Sequence, residues 1–384
     1  MKLVKQMQLV VAALACCVAV PSGAAGDDGT GRSSFEDRLA LSKKIKETRE
    51  TLRQLPMPVP SGLFGIFAFP KSGQGAAGIN AQHHSFDGLL KGSDSISAET
   101  IAATVPNRFY GDTGQPQTLR VIPLESEADV VYPFANFALN EHFALVGLAP
   151  FVKKKTVMQT FSGSNASVSL GTSTVRSEGL GDIKFGTLYR AFSSDEHKHN
   201  FTIDAVLSAP TGDIKVEDYK LAPNNVLTKA RLAYGMQLGS GTWDALLGAA
   251  YWGKEDQWGW GAQYLATIPL ESKNSEGWRF GDKHEVTGWT SYSWKPDLVT
   301  SFRMRGETQD KIHGIDSQIY GPGLGGDPDN YGGEKLEVGI GANWMPAPGN
   351  NLGLELMLPV YQDRNGVQPD HEYSLMLSWR MAFL

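Results

Sequence analysis

Arg303-Met-Arg-Gly-Glu307 sets three charged side chains two residues apart. On an extended chain, side chains alternate between faces, so all three project from one side. Two guanidiniums and a carboxylate on one face can brace a wall as ion pairs, or form a charged constriction that selects solutes. The same parity applied to other alternating segments adds Asp182, Lys184, Arg190, Asp204, Asp244, Gln263, Glu285, Glu337, Glu355 and Arg380 to that polar face. Both signs occur throughout, so bracing and selectivity both remain open. Arg303, Arg305 and Glu307 are the first choice for a constriction.

Other reactive residue types are placed less well for chemistry. His83 and His84 are adjacent, which on a strand sends them to opposite faces and argues against a metal pair. His197 and His199 share a parity but sit in a charged turn. Asp310, Asp316, Asp327 and Asp329 surround the glycine-rich run 321–326, without the ligand spacing of a calcium loop. No Ser and His fall together on one face with a supporting acid, so no catalytic residue, metal or cofactor is expected and the chain is read as a non-enzyme.

The elements that must carry the polar face are strands. Tyr373, Leu375, Leu377, Trp379, Met381 and Phe383 alternate with Ser374, Ser378, Arg380 and Ala382, an extended strand with one apolar and one polar face. Closing almost at the chain end on an aromatic residue, it looks like the final strand and assembly signal of a bacterial outer-membrane β-barrel. Residues 258–268, 336–344, 352–360 and 201–209 alternate in the same way. Tyr189, Trp243, Tyr251, Trp258, Trp294, Trp344, Tyr361 and Trp379 fall near strand ends, the pattern of an interfacial girdle. Compact polar turns at 140–142, 193–199, 253–256, 295–297 and 346–350 alternate with longer connections at 158–178, 211–230, 271–280, 311–333 and 363–370. That rhythm predicts an all-β, antiparallel transmembrane barrel of about twelve strands over 62–384, with short turns toward the periplasm. The stretch 91–126 is read as a first external loop or a small plug.

Composition agrees. A mean hydropathy of -0.24 is too mild for a helical membrane protein, but a barrel averages its two faces. Lys2 and Lys5 precede an apolar run to Val20 and then Pro21-Ser-Gly-Ala-Ala25, which reads as a signal peptide over 1–25. Removing it would leave 33 Lys+Arg (35 minus Lys2 and Lys5) against 41 Asp+Glu. Cys16 and Cys17 would also be lost, and with them any disulfide. No basic stripe suits nucleic acid. A flexible leader over 26–33 leads to a periplasmic helix over 34–56, its apolar stripe Phe35, Leu39, Ile45, Leu52 and Leu55 set among charges. Packing under the barrel mouth, pairing with a second copy or a periplasmic partner, and insertion into the lumen all stay open for it. The segment Pro56-Met-Pro-Val-Pro60 reads as a stiff linker.

Two stretches carry a more specific likeness. Gly179-Leu-Gly-Asp182 opening a strand, followed by Pro210-Thr-Gly212, resembles a family of outer-membrane proteins associated with the meta-pathway of phenol degradation. Gly239-Ser-Gly-Thr242 and Leu356-Met-Leu-Pro-Val-Tyr-Gln362 add to it, and the likeness covers 62–384. The resemblance implies a transporter-like barrel for small, hydrophobic or aromatic solutes. Its partners would be outer-membrane lipid, lipopolysaccharide and the barrel assembly machinery. A closed docking barrel that anchors a partner through 34–56 is the competing reading.

Overall fold

The computed structural model describes Leu39, Ser42, Lys43 and residues 59–64, 72–194 and 197–383. Leu39, Ser42 and Lys43 are helical; the rest of the expected helix 34–56, the signal peptide 1–25, the leader 26–33 and Leu384 lie outside the described residues.

The chain forms an antiparallel barrel. In order, its strands are β1 (Gly75–Gly92), β2 (Asp94–Ser95), β3 (Val121–Ala138), β4 (Phe143–Leu148), β5 (Phe151–Ser162), β6 (Val168–Leu180), β7 (Lys184–Ser193), β8 (His199–Ser208), β9 (Glu217–Leu221) and β10 (Leu227–Arg231). There follow β11 (Asp244–Glu255), β12 (Trp258–Pro269), β13 (Trp278–Arg279), β14 (Lys283–Lys295), β15 (Leu298–Gln309), β16 (His313–Gly314), β17 (Gly333–Ala347) and β18 (Asn350–Phe383). The ring runs β1-β18-β17-β15-β14-β12-β11-β8-β7-β4-β3 and closes through the pairing of β3 with β1. Closure leaves no open edge, the condition for a sheet to sit in hydrocarbon.

Eleven named strands make this ring, against the expected twelve or so. The difference lies in β18, which runs 34 residues without interruption. Its first half pairs with β17 as far as Arg364↔Gly333, and its second half pairs with β1 from Lys91↔Val367 to Gly75↔Phe383. The reversal between them is confined to Asn365-Gly366, where Gly366 takes φ 60, a left-handed conformation glycine adopts without strain. The expected connection at 363–370 is therefore a tight turn. The expected loop at 158–178 is likewise mostly strand: β5 continues β4 across Ala149-Pro150, β6 runs into β7 across 181–183, and only 163–167 turns.

The outward face is apolar between two rows of aromatics. Leu145, Phe185, Leu207, Leu247, Phe302, Ile340, Leu354 and Leu377 are exposed. Trp258, Trp294 and Trp344 lie by the short turns, Trp258 and Trp294 each packing edge-on against Tyr292 at 4.9 and 4.8 Å. Trp243 and Tyr361 lie at the other rim. The inward face is buried and carries the polar side chains together with apolar clusters around Leu188 and Trp252, so alternation resolves into lipid side and lumen side.

The longer connections fold into a cap. Residues 93–120, with a short helix α1 (Ala98–Thr104), pack Ile101, Ala102 and Leu119 against Leu89, Ile122, Leu324 and Val367. A second core joins Tyr234, Trp278, Ile214, Ile312 and Ile319. Within stretch 91–126, residues 121–126 are already part of β3, and the connection proper, 93–120, packs on the ends of β1 and β3.

Arginine placed at Ile340, which is outward and midway along β17, should cost roughly 2–4 kcal/mol of folding free energy in vesicles, the price of a cation at the bilayer midplane. Urea titration followed by heat-modifiable gel mobility would read it, with Ser291→Ala on the inner face as the near-neutral control.

Candidate functional site: two chambers divided by an ion-paired belt

Side chains two apart on β14, β15, β17 and β18 meet inside the ring because the register brings Arg305 opposite Glu337, Glu285 opposite Glu307, and Glu355 opposite Gly341. Arg303 Nε lies 2.8 Å from Glu355 Oε1. Arg305 donates from Nε to Glu337 Oε2 at 2.7 Å, pairs with it again through Nη2, and reaches Glu285 Oε1 at 3.4 Å. Lys283 holds Glu285 at 2.9 Å; Lys335 lies 3.4 Å from Glu337 and 3.9 Å from Glu307. Four carboxylates thus face four cations, and Arg303, Glu337 and Glu355 are buried. Charges taken out of water persist when paired this completely, so the predicted trio Arg303, Arg305 and Glu307 forms part of a neutral belt.

A chain of close polar contacts extends the belt around the wall. His371 Nδ1 lies 3.3 Å from Glu337 Oε1, its Nε2 lies 2.9 Å from Ser374 Oγ, and that hydroxyl lies 2.7 Å from His84 Nδ1. His83, on the opposite face, meets Asp129 at 2.8 Å instead. His371 escapes a parity reading because the β1–β18 register shifts between Ser85 and Phe86, turning an odd-numbered residue inward. Lys283 and Lys335 share the parity of Glu285 and Glu337 and could have been found by extending the alternation one step outward.

The belt separates two cavities. The inner one, ≈ 480 Å³, is lined by polar side chains that include Asn80, Gln82, Lys184, Gln263, Arg305 and Arg380. Residues 59–64 lie along it, where 59–60 were expected to end a linker and 62–64 to begin the barrel wall. Gly62 N donates to Glu355 Oε2 at 2.7 Å, Asn343 Nδ2 to Val59 O at 3.3 Å, and Gln263 Nε2 to Phe64 O. Val59 and Leu63 pack on Trp252 and Trp289. A Cβ on Gly62 would meet the Arg303 guanidinium at 2.6 Å and the Glu355 carboxylate at 2.7 Å, so a larger residue there would have to displace the ends of those side chains.

The outer cavity, ≈ 490 Å³, lies beneath the cap and is mostly apolar, with Phe86, Met158, Val175, Leu232, Met236 and Leu324 in its lining. No residue lines both cavities. On β1 the linings meet between Gln82 and His84, and on β3 between Val130 and Ala128.

Asp182, Lys184 and Asp244 also line the inner cavity, and the two acids are engaged by loop groups at its rim. Asp182 accepts from Gly212 N at 2.9 Å and from Ser240 N at 2.7 Å. Its carboxylate thereby ties together the three Gly-rich motifs, with Thr211 Oγ1 donating to Gly181 O at 2.8 Å. Gly212 and Gly239 are packed backbone to backbone, a Cβ on Gly212 meeting Gly239 Cα at 2.7 Å. Asp244 accepts from Thr242 Oγ1 at 2.6 Å and Ser240 Oγ at 2.9 Å. Lys184 lines the inner cavity, and Arg190 is buried on β7. Asp204 is buried opposite Gly248, its two carboxylate oxygens without a hydrogen-bond partner.

The loop acids are engaged in the cap. Asp316 meets Arg231 at 2.8 Å, Asp327 meets Arg108, and Asp329 meets Lys311 at 2.6 Å. Among the described residues no group of acids and histidines converges as a metal site. Hydrogen bonds from Lys215 and Arg231 hold Glu276 below the ordinary carboxylate range, and one from Lys311 does the same for Asp329. His197 and His199 part company, bonding Ser193 at 2.7 Å and Tyr251 at 2.8 Å.

No known family model matches the sequence, and no curated protein matches it. Among solved structures, an outer membrane channel from Pseudomonas putida F1 is similar at 15% identity and a TM-score of 0.53, over 85% of this chain and all of that one. The P. putida toluene transporter TodX is 10% identical over 82% of this chain and 91% of its own, and the Ralstonia pickettii toluene transporter TbuX 11% over 82% and 90%. Both have a TM-score of 0.40, too low to place this chain with them. The first likeness shows the fold, that of outer-membrane barrels.

Asp182→Ala leaves two buried N–H groups unpaired and should cost on the order of 1–3 kcal/mol each, read as a lower urea midpoint. In the cap, the depressed carboxylates contribute stability that is present above their unfolded pKa of about 4 and lost as pH falls through the folded value. Protease nicking within 271–333 should therefore rise below about pH 4 while the barrel strands stay protected.

Proposed function

We propose that this protein is a bacterial outer-membrane channel for small hydrophobic solutes. One observation carries the reading: an apolar chamber of ≈ 490 Å³ sits under the cap of a barrel whose inner cavity is polar and is narrowed by paired charges and by residues 59–64. A water-filled porin needs an open polar bore. Here an apolar space inside the ring opens on the external side, where an apolar solute would arrive, and its volume suits a drug-sized molecule. The expected lumen residues Arg303, Arg305, Glu307, Glu285, Glu337 and Glu355 then act mainly as bracing for the wall, and the C-terminal residues Tyr373 to Phe383 as the lipid-facing closing strand recognised during assembly. The competing docking-barrel reading depends on 34–56 and has no observation in its favour.

In planar bilayers the full chain should conduct weakly, because residues 59–64 occupy the inner cavity, and deleting 26–64 should raise the conductance. Cells lacking the protein should take up an alkylbenzene more slowly while disaccharide uptake is unchanged. Equal uptake of the alkylbenzene with and without the protein, or loss of disaccharide uptake alone, would count against the assignment.

A further inference from the structure

The outer chamber is apolar but not uncharged. Lys154, Lys220 and Arg364 line it together with Met158, Val175 and Met236. In the belt below, each cation has a carboxylate within 4 Å: Arg303 with Glu355, Arg305 with Glu337, Lys335 with Glu337, Lys283 with Glu285. The chamber cations meet neutral groups instead. Lys154 Nζ donates to the backbone carbonyls of Gly235 at 2.9 Å and Gln237 at 2.6 Å, which orients it without cancelling its charge. Arg364 Nη2 donates to Gln362 Oε1 at 2.6 Å, and its Nε is buried with no hydrogen-bond partner. Among the described residues no ion pair joins any of the three to a carboxylate. The one acid on the lining, Glu127, lies 3.5 Å from Lys155.

Burial among apolar groups penalises a cation unless a counter-charge completes it. Lys220, outside the membrane-spanning strands on β9, shows that penalty directly, its ammonium drawn below the usual lysine range by burial. Asp182 near Lys154, and Glu307, Glu337 and Asp370 near Arg364, act on these cations without pairing directly with them, so the apolar space is lined by cations that lack a directly bound anion.

From this juxtaposition we infer that the outer chamber takes anionic amphiphiles: hydrophobic carboxylates whose chain fills the apolar lining and whose head is met by Lys154, Lys220 and Arg364. The inference rests on the reading that the chamber admits apolar solutes, and narrows it to those with an acidic head. A neutral analogue would gain the apolar contacts alone, and a cationic one would be repelled.

The test uses the full chain in non-ionic micelles at about pH 8, where a carboxylic acid is ionised. A fluorescent dodecanoate analogue is displaced by dodecanoate, dodecanol or dodecylammonium, with protein-free micelles as the partition control. Dodecanoate should compete about tenfold better than dodecanol, the size of one charge-assisted hydrogen bond, and dodecylammonium worst. Lys220→Met and Arg364→Gln should each shrink the dodecanoate advantage and leave dodecanol where it was. Lys154→Met should do the same, and heat-modifiable mobility checks that it still folds. Equal competition by dodecanoate and dodecanol, or the best competition by dodecylammonium, would overturn the acidic-head inference while leaving an apolar solute chamber in place. No displacement by any of the three would overturn the chamber's role as well.

Discussion

A backbone N–H that faces hydrocarbon has no water to bond, so a strand in a bilayer must be paired on both sides. In this chain that requirement comes to rest on β1. It pairs residue by residue with β18 on one side, Gly75↔Phe383 to His84↔Ser374, and with β3 on the other, Gly75↔Phe137 to Asp87↔Glu125. The first and last strands of the ring are thereby joined to each other and to the third. Without that double ladder the sheet would have two raw edges, and neither the lipid face nor the lumen face would be defined.

Once the ring is closed, pleating sends every second side chain inward, and whatever charge the sequence carries there has to be settled inside. On β14, β15, β17 and β18 it is settled by adjacent strands carrying opposite signs at opposed positions, as with Arg305 and Glu337. The opposite ends of β7, β8 and β11 use another solution. There Asp182 and Asp244 are satisfied by backbone amides and hydroxyls of the Gly-rich loops, which can approach because Gly212 and Gly239 have no side chains. The Gly-rich motifs at 179–182, 210–212 and 239–242 are thus a structural knot at one rim of the barrel, a role that explains their spacing without involving solute.

What could be read from the chain follows from the same periodicity. Alternation at Trp258–Ile268 or Leu352–Val360 survives intact, so strands, faces and the closed ring were legible, as were the belt acids and arginines. Features that break the period were not. The register shift beside Phe86 moved His371 into the belt, and the turn at Asn365-Gly366 was too short to register as a connection. Residues 59–64 were invisible for a different reason: a proline-rich stretch with no periodicity says nothing about what it lies against, and its partners Gln263, Asn343 and Glu355 are some 200 or more positions distant. The outer chamber escaped for the same cause, its lining drawn from eight separate stretches between His84 and Pro369.

The two linings of the lumen differ in how firmly they are held. The wall is over-determined: each belt charge sits on a strand locked by two ladders, and breaking one buried pair strands its partner in a dry interior, a cost of about 3–5 kcal/mol. Residues 59–64 have no ladder. Single hydrogen bonds to Glu355, Asn343 and Gln263, with apolar contact to Trp252 and Trp289, are what keep them in place, and each such bond is worth about 1 kcal/mol net once water can replace it. Any change of bore therefore falls on this segment before it falls on the belt. The ion-paired wall and the segment inside it therefore differ in how much would have to be broken to displace them, the wall far more than residues 59–64.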